Sequence, residues 1–197
     1  TGATAKRAFA FKPSFVSTYI LPRVRWSQPL LPLDYDDADV REVATKIRVA
    51  FEPFVGLTAQ EIAVRICPTA NPKAKNFHAH VTKAILGVDP DNAIEDVTVR
   101  SIRLDYQKAV PREHVSFPHF SYLELAEQTW ETSDLRESLQ KPFLFVVYGE
   151  EARNGRRPLV DVRLWLMPER DREGEVRRVW EETVHRIREG RADELPK

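Results

Sequence analysis

The sequence predicts an α/β domain in which helices flank a mixed central sheet. Segments with apolar residues at helical spacing occur before residue 88 and again near the C-terminus, and strand-like segments lie between them. One of these, Phe143 to Tyr148, is a continuous apolar run, which is typical of a strand buried on both faces. Helices before and after such strands indicate an α/β layer structure.

The first part of the chain predicts a helix and a loop over residues 1–37. The aromatic-rich segment 9–21 favours a helix after Pro13, and the prolines and aspartates of 22–37 favour a loop. A helical part is expected over residues 38–87. Its first helix begins near Asp39 and ends at Gly56, as apolar residues at helical spacing indicate: Val40, Val43, Ile47, Ala50, Phe51 and Phe54.

Two shorter helices complete the helical part. Thr58 and Glu61 have the spacing of a capping box and open a helix that runs to Ile66. The segment 75–86 predicts another helix, with Gly87 as its C-terminal stop. Its expected inward residues are Phe77, Val81, Ala84 and Ile85.

Residues 88–197 predict the sheet and a late helix. The segments 97–104 and 161–167 alternate like strands, whereas 114–125 is mixed and interrupted by Pro118. Ser133 is expected to cap a short helix that ends near Gln140. The late helix covers 174–189, ends at Gly190 and turns one stripe inward: Val176, Val179, Trp180, Val184 and Ile187. Since no repeat is visible, we expect a single domain over residues 1–197.

Composition limits the functions that the chain can have. Of 197 residues, 42% are hydrophobic, and 30 basic residues balance 30 acidic ones. Zero net charge disfavours unspecific coating of nucleic acid, so that any DNA site is expected to be a local basic patch. The single Cys67 excludes an internal disulfide. No run of 18 apolar residues and no signal peptide is visible, and we expect a cytoplasmic protein with no membrane partner.

The most informative residues are Thr98 and Arg100, seven and nine positions after Asp91. A metal-dependent nuclease with the spacing Asp-x6-Glu-x-Lys has glutamate and lysine at these two places. A Mg²⁺ site needs charged oxygen ligands, whereas a threonine hydroxyl is neutral. Arginine stays protonated and cannot act as a base, but it can clamp a phosphate. The pattern therefore predicts degenerate catalytic positions at Asp91, Thr98 and Arg100, with no metal site.

Basic residues around this segment are the candidates for DNA contacts. The predicted DNA-binding residues are Arg100, Lys108, Arg112, His114, Lys73 and Lys75. An ion pair of Arg100 with Asp91 or Glu95, and a solvated loop for the others, are the alternatives. Arg100 and Arg103 are expected to face opposite sides of their strand. His78 and His80, two positions apart, are interpreted as surface residues.

Several blocks of the sequence, in order, resemble one family. The first block is Gln128 to Gln140, which contains Trp130-Glu131-Thr132-Ser133 and is followed by the predicted strand 143–147. It is similar to the MutH mismatch-repair endonuclease and to related GATC-cutting restriction enzymes of the Sau-three-AI type. Further matching blocks are 85–88, 97–104, 111–118, 179–183 and 188–190. Residues 7–15 resemble the opening of the second domain of those restriction enzymes.

The resemblance implies a MutH-like restriction-endonuclease fold and a chain that is a fragment of a longer two-domain protein. In such enzymes the first copy of the fold cuts DNA, and the second has lost its metal ligands and binds a further DNA site as an allosteric effector. Thr98 and Arg100 favour the second copy. The family continues into a DNA-reading stretch at the point where this chain reaches Leu195-Pro196-Lys197, so that weak or absent sequence-specific binding is expected of this fragment.

The sequence therefore predicts a non-catalytic effector domain of a type II restriction endonuclease. Its expected partners are double-stranded DNA containing GATC or a related site and the catalytic MutH-like domain of the same enzyme, with a homodimer as a further option. No cofactor is expected for this chain, whereas Mg²⁺ is expected for the catalytic copy or for an active nuclease. Two alternatives stay open: an active Mg²⁺-dependent endonuclease with rearranged carboxylates such as Asp91, Glu95 and Asp96, and a structural or dimerisation domain.

Overall fold

The computed structural model describes residues 7–20, 38–88, 97–105, 111, 114–150 and 154–195. The chain forms two compact units. The first, which we name the sheet unit, comprises Lys12–Val115 and Phe143–Trp165. The second, the helical unit, comprises Thr1–Phe11, Ser116–Pro142 and Leu166–Lys197. The single domain over residues 1–197 stays a prediction.

The described residues form five strands and eight α-helices. The strands are β1 (Arg7–Phe11), β2 (Thr98–Arg103), β3 (Val115–Phe120), β4 (Phe143–Tyr148) and β5 (Leu159–Trp165). The α-helices are α1 (Pro13–Phe15), α2 (Ala38–Phe51), α3 (Ala59–Ile66), α4 (Phe77–Ile85), α5 (Tyr122–Glu127), α6 (Asp134–Gln140), α7 (Glu169–Asp171) and α8 (Arg177–Arg188). Turns of π-helix cover Val16–Ile20 and Arg172–Val176, and 3₁₀ turns cover Glu52–Phe54 and Ala192–Glu194. Among these helices, none combines the length and the apolar character that crossing a membrane requires.

A three-stranded mixed sheet forms the centre of the sheet unit. β4 is its middle strand, parallel to β2 and antiparallel to β5. All six residues of β4 are buried, which confirms the strand predicted to be covered on both faces. The mixed sheet with its helices confirms the α/β class.

Helices α2, α3 and α4 cover one face of this sheet. Phe51, Ile62 and Val81 are fully buried there in one cluster with Leu144 and Val146 of β4. The predicted capping box is present, since Thr58 accepts a hydrogen bond from the Glu61 backbone and the Glu61 carboxylate accepts one from the Thr58 backbone.

Val43 of α2 lies outside the stripe of the helix that meets the sheet. Val43 is 46% exposed, whereas Ala44 is 1% exposed and belongs to the core cluster. Ala44, Ile47 and Phe51 form the stripe that meets the sheet. Val43 and Ala44 both fit a helical stripe with Ile47. The core cluster with β4 and β5 includes Ala44 and leaves Val43 outside.

The helical unit contains a two-stranded sheet of β1 and β3 together with α5 to α8. The rings of Phe11 and Phe117 meet edge to face with centroids 4.9 Å apart. β1 was missed by the sequence analysis, and the interruption expected at Pro118 was wrong, because β3 continues through it. Proline is compatible with a strand that has a free edge, which each strand of a two-stranded sheet has.

The remaining helices of this unit follow local signals. Ser121 and Glu124 form a capping box that opens α5, another element missed by the sequence analysis. Ser133 caps α6, as predicted. Of the late helix, Trp180 and Val184 are buried, but Val179, predicted to be inward, is 41% exposed. Gly190, with φ of +75°, ends the helix in the left-handed region that favours glycine.

Candidate nucleic-acid interface

Strand β2 carries the two positions at which the sequence departs from a metal-dependent nuclease. Thr98 is its first residue and lies opposite Phe143 of β4, and Arg100 lies opposite Phe145. Both residues are half-buried. Nη1 of Arg100 donates a hydrogen bond to the carbonyl oxygen of Val99 at 3.1 Å. Burial lowers the pKa of the Arg100 guanidinium, which nevertheless keeps its charge at any working pH.

Arg100 lies on the sheet face opposite to the helical core. Val99 packs against the core cluster on the side of α2 to α4, and neighbouring residues of a strand point to opposite faces. The face of Arg100 also carries Phe145 and, across β4, Arg163 of β5. Adjacent strands are about 4.8 Å apart, so that the backbones of the two arginines are separated by about 10 Å with Phe145 between them.

Arg163 belongs to a buried ion pair that the sequence analysis missed. Nε of Arg163 donates to Oδ2 of Asp161 at 2.7 Å, and Oδ1 of Asp161 accepts from the Val162 backbone at 2.9 Å. Asp161 is only 5% exposed. Among the described residues, Nη2 of Arg163 is buried without a hydrogen-bond partner. This face therefore has two guanidinium groups and one carboxylate on β2 and β5.

Several predicted residues lie outside the described residues. They are Asp91, Lys108 and Arg112, together with Glu95 and Asp96 of the alternative carboxylate set. Within the described ranges, no three His, Cys, Asp or Glu side chains are grouped so that they could hold a metal ion. The metal-binding alternative at Asp91, Glu95 and Asp96 therefore stays untested.

The other predicted DNA-binding residues lie at different places in the sheet unit. Lys73 and Lys75 are exposed in the segment that leads into α4, and His114 is exposed directly before β3. The side chain of Asn71 accepts a hydrogen bond from the Lys73 backbone at 3.0 Å and so shapes the turn before the helix.

The first turn of α4 meets the ends of β2 and β4. The ring of His78 stands edge to face on Tyr148, the last residue of β4, with centroids 5.0 Å apart. Arg103 ends β2 opposite Tyr148. Burial, and after it the positive charge of Arg103, lower the pKa of His78. His78 is thus half-buried at the surface, where it packs on Tyr148.

The candidate DNA-binding residues are therefore divided between two faces of the sheet. Arg103 shares a face with Tyr148 and α4, and Arg100 points to the other face, because odd spacing along a strand alternates sides. The predicted opposition of Arg100 and Arg103 agrees with this arrangement. Lys73 and Lys75 precede the helix on the side of Arg103.

The Trp130-Glu131-Thr132-Ser133 motif has a structural role within the helical unit. Trp130 is 2% exposed, packs on Trp180 and donates from Nε1 to Oε2 of Glu173 at 2.7 Å. Arg136 and Arg172 also donate to Glu173, and the bond from Trp130 contributes most to lowering the pKa of Glu173 to about 2. We name Trp130, Arg136, Arg172 and Glu173 the tryptophan clasp.

Comparison with known proteins finds a restriction enzyme among the proteins that this chain resembles. The chain is similar to the type II restriction enzyme Sau3AI of Staphylococcus aureus, with 24% identity over 206 residues that cover 94% of this chain. The chain spans 41% of the length of that enzyme. No family model matches the chain. The similarity supports a relationship to restriction endonucleases.

Proposed function

We propose that this chain is a non-catalytic, duplex-DNA-binding effector domain of a type II restriction endonuclease. The similarity to a type II restriction enzyme over 94% of the chain supports the class. The proposed DNA site is GATC or a related sequence, and the proposed partner is a catalytic MutH-like domain of the same protein.

The observation that carries this proposal is the chemistry of β2. Thr98 presents a neutral hydroxyl where a nuclease of this spacing needs a carboxylate for its metal ion. Arg100 cannot accept a proton, because its guanidinium stays charged. Its planar donors fit a phosphate, so that the position keeps a DNA contact while losing the chemistry.

The charge on this face supports binding without a metal ion. Mg²⁺ in a nuclease neutralises charge on the phosphate. Among the described residues of β2 and β5, Arg100 and Arg163 bring two positive charges to this face against the carboxylate of Asp161. This local excess is compatible with the zero net charge of the whole chain. Arg100, which is half-buried, contacts the DNA backbone, and the ion pair with Asp161 holds Arg163 in place behind it.

Effector action requires that DNA on this domain changes the activity of the catalytic copy. Thermodynamic linkage makes such coupling reciprocal for binding, so that each site changes the affinity of the other by the same factor. Occupation of this domain would then commit the enzyme to cutting only where a second site is available.

The test is fluorescence anisotropy of the chain with a GATC duplex and with a scrambled duplex of the same composition. Each titration is run at low and at roughly physiological salt, because phosphate contacts make affinity strongly salt-dependent. The proposal expects the GATC duplex to bind more than about tenfold tighter, which corresponds to about 1.4 kcal/mol. Equal binding of both duplexes would contradict site recognition by this chain, and no binding at either salt would contradict the proposal as a whole.

A plasmid-nicking assay separates the proposal from an active nuclease. We expect no cleavage in Mg²⁺ at enzyme concentrations that saturate binding. Nicking that requires Mg²⁺ and disappears in Asp91→Ala would establish the active nuclease in its place. A stable dimer with no affinity for DNA would establish a structural role.

A further inference from the structure

A small cavity lies within the helical unit, and its lining comes from β1, β3, α5 and α6. Its volume is about 50 Å³, which is more than one water molecule needs. The buried part of the lining is apolar and consists of Phe117, Leu125 and Leu135. Phe9 and Phe120 complete the apolar part and are half-buried, so that some of each ring is accessible. An apolar cavity with a few polar groups is the usual form of a small-molecule site.

The aromatic side of this cavity suits a flat ring. The rings of Phe9 and Phe120 have centroids 5.0 Å apart and an interplanar angle of 34°. Aromatic side chains stack with nucleic-acid bases of every type, because each base has a π-face. At this volume the cavity takes in part of one ring, and the sugar of a nucleoside stays outside. The apolar lining therefore favours a heteroaromatic ring without selecting among such rings.

Two polar residues of the lining hold each other in place. Nε2 of Gln128 donates to Oδ2 of Asp134 at 2.9 Å, and Oε1 of Gln128 accepts from the Asp134 backbone at 3.4 Å. The backbone of Gln128 is held as well, because Nη2 of Arg188 donates to its carbonyl oxygen at 3.0 Å. Both ends of the Gln128 amide are thus engaged, and these two bonds define its orientation.

The pair of Gln128 and Asp134 offers a donor next to an acceptor. An amide nitrogen has two N–H groups, of which Asp134 uses one, and the second carboxylate oxygen of Asp134 is a further acceptor. Cytosine and adenine carry the complementary edge, in which a ring nitrogen accepts and the neighbouring amino group donates. Uracil and thymine present the reverse, a ring N–H next to a carbonyl oxygen. His119 and Ser138 add further hydrogen-bonding groups to the same lining.

We propose that this cavity binds the edge of a cytosine or adenine ring. Gln128 donates to the ring nitrogen, Asp134 accepts from the amino group, and the ring lies against Phe9 and Phe120. A base inside a duplex is stacked and paired and cannot enter such a cavity. The ligand is therefore a free nucleoside or an unpaired base in DNA. Binding of such a base goes beyond the proposed function and does not depend on it.

The first test is a ligand-observed NMR titration of the chain with cytidine and with uridine. The two nucleosides share the sugar and the ring and differ in the hydrogen-bonding edge. We expect cytidine to bind about tenfold tighter, because a matched pair of hydrogen bonds discriminates between bases by this order. Equal affinities would overturn the recognition of the edge, and absence of binding by both nucleosides would overturn the site.

Two substitutions locate the site. Ser138→Leu fills the cavity from α6 and leaves Gln128 and Asp134 unchanged, so that cytidine affinity should fall at least about tenfold. Gln140→Leu is the matched control, because it places the same side chain at an exposed position of the same helix. Urea denaturation checks that both variants are folded. An equal loss in the control, or wild-type affinity in Ser138→Leu, would overturn the proposal.

Asp134→Ala tests the edge without filling the cavity. Asp134 is exposed, so that the chain should tolerate the change. The substitution removes the acceptor for the amino group, and cytidine and uridine should then bind with similar affinity. A preference for cytidine that stays at its wild-type value would contradict the assignment of Asp134.

A duplex with one unpaired cytosine and a duplex with one unpaired thymine distinguish the two sources of the ring. Tighter binding of the cytosine duplex that is lost in Ser138→Leu would support an unpaired base in DNA. Equal binding of the two duplexes, with the preference for cytidine intact, would support a free nucleoside. Since the nucleoside titrations need no duplex, failure of the cavity and failure of the proposed function give different results.

Discussion

Two of the regions that resemble restriction endonucleases, the Trp130 to Ser133 motif and β2, differ in how the structure accounts for them. The Trp130 to Ser133 motif is fully engaged in its own unit: Trp130 bonds Glu173, Glu131 pairs with Arg177, and Ser133 caps α6. β2, by contrast, presents a half-buried arginine whose hydrogen bond within the described residues goes to a backbone carbonyl.

The difference separates evidence for the fold from evidence for function. A motif that is satisfied by internal contacts accounts for the stability of its own unit, whatever the chemistry of the chain. Within the described residues, Arg100 has one hydrogen bond, to a neutral acceptor, whereas a buried charge is best stabilised by an ion pair or several hydrogen bonds. The functional proposal therefore depends on β2, and the tryptophan clasp bears on stability.

The largest expected effect is that of Trp130→Ala on stability. Removal of a buried tryptophan costs about 3–5 kcal/mol of the free energy of unfolding, from lost burial and the cavity that remains. Urea denaturation measures it. Trp130→Phe, which retains most of the apolar contact with Trp180 and loses the bond to Glu173, should cost clearly less. An equal loss of stability in Trp130→Ala and Trp130→Phe would show that the hydrogen bond to Glu173, rather than packing on Trp180, stabilises the tryptophan clasp.

Asp161→Ala should be nearly as destabilising in the sheet unit. It leaves the guanidinium of Arg163 buried without its carboxylate, and breaking a buried pair in this way costs about 3–5 kcal/mol. Urea denaturation of Asp161→Ala and of Asp161→Ala/Arg163→Met provides the check. The double variant should recover much of the loss, and a double variant as unstable as the single one would contradict the account of the pair.

Arg100→Gln is expected to lower DNA affinity without lowering stability. Loss of one phosphate contact by a half-buried arginine should weaken binding about tenfold, which corresponds to about 1.4 kcal/mol. Burial disfavours the charge of Arg100 in the free protein, so that the free energy of unfolding should stay constant or rise. Anisotropy and urea denaturation of the same sample measure both. Unchanged affinity would remove β2 from the interface.

The smallest expected effect is the pH dependence that Glu173 contributes. Its pKa is lowered to about 2 in the folded chain from 4.5, so that its contribution to stability is present above pH 4.5 and is lost as the pH falls towards 2. Because the side chain is partly exposed, we expect about 1 kcal/mol. Urea denaturation at pH 6 and pH 3, compared with Glu173→Gln, measures the difference. The same pH dependence in both proteins would contradict the assignment.

Local signals predicted much of the fold, and long-range pairing explains what was missed. The apolar run of β4 and the capping box at Thr58 depend on neighbouring residues, and both were predicted. β1 pairs with β3 from more than a hundred residues away, and no local pattern marks such a partner. Pro118 is compatible with β3 because each strand of a two-stranded sheet has a free edge.

The candidate site was predictable only in part for a similar reason. The spacing of Asp91, Thr98 and Arg100 is visible in the sequence, but Asp161 and Arg163 resemble the solvent-facing positions of an alternating strand. Their burial follows from the position of β5 beside β4. His78 is half-buried because α4 places it against Tyr148. These residues are seventy positions apart in the sequence, and the helical spacing of apolar residues does not predict such a contact.

The most direct test of the account is the affinity of the unsubstituted chain for a GATC duplex in EDTA and in Mg²⁺ at matched ionic strength. A domain that holds phosphates with arginines in place of a metal ion should bind in EDTA, and Mg²⁺ should not tighten the complex. Binding that is about tenfold tighter in Mg²⁺, or that appears only with it, would contradict the account, because a metal ion would then complete the site.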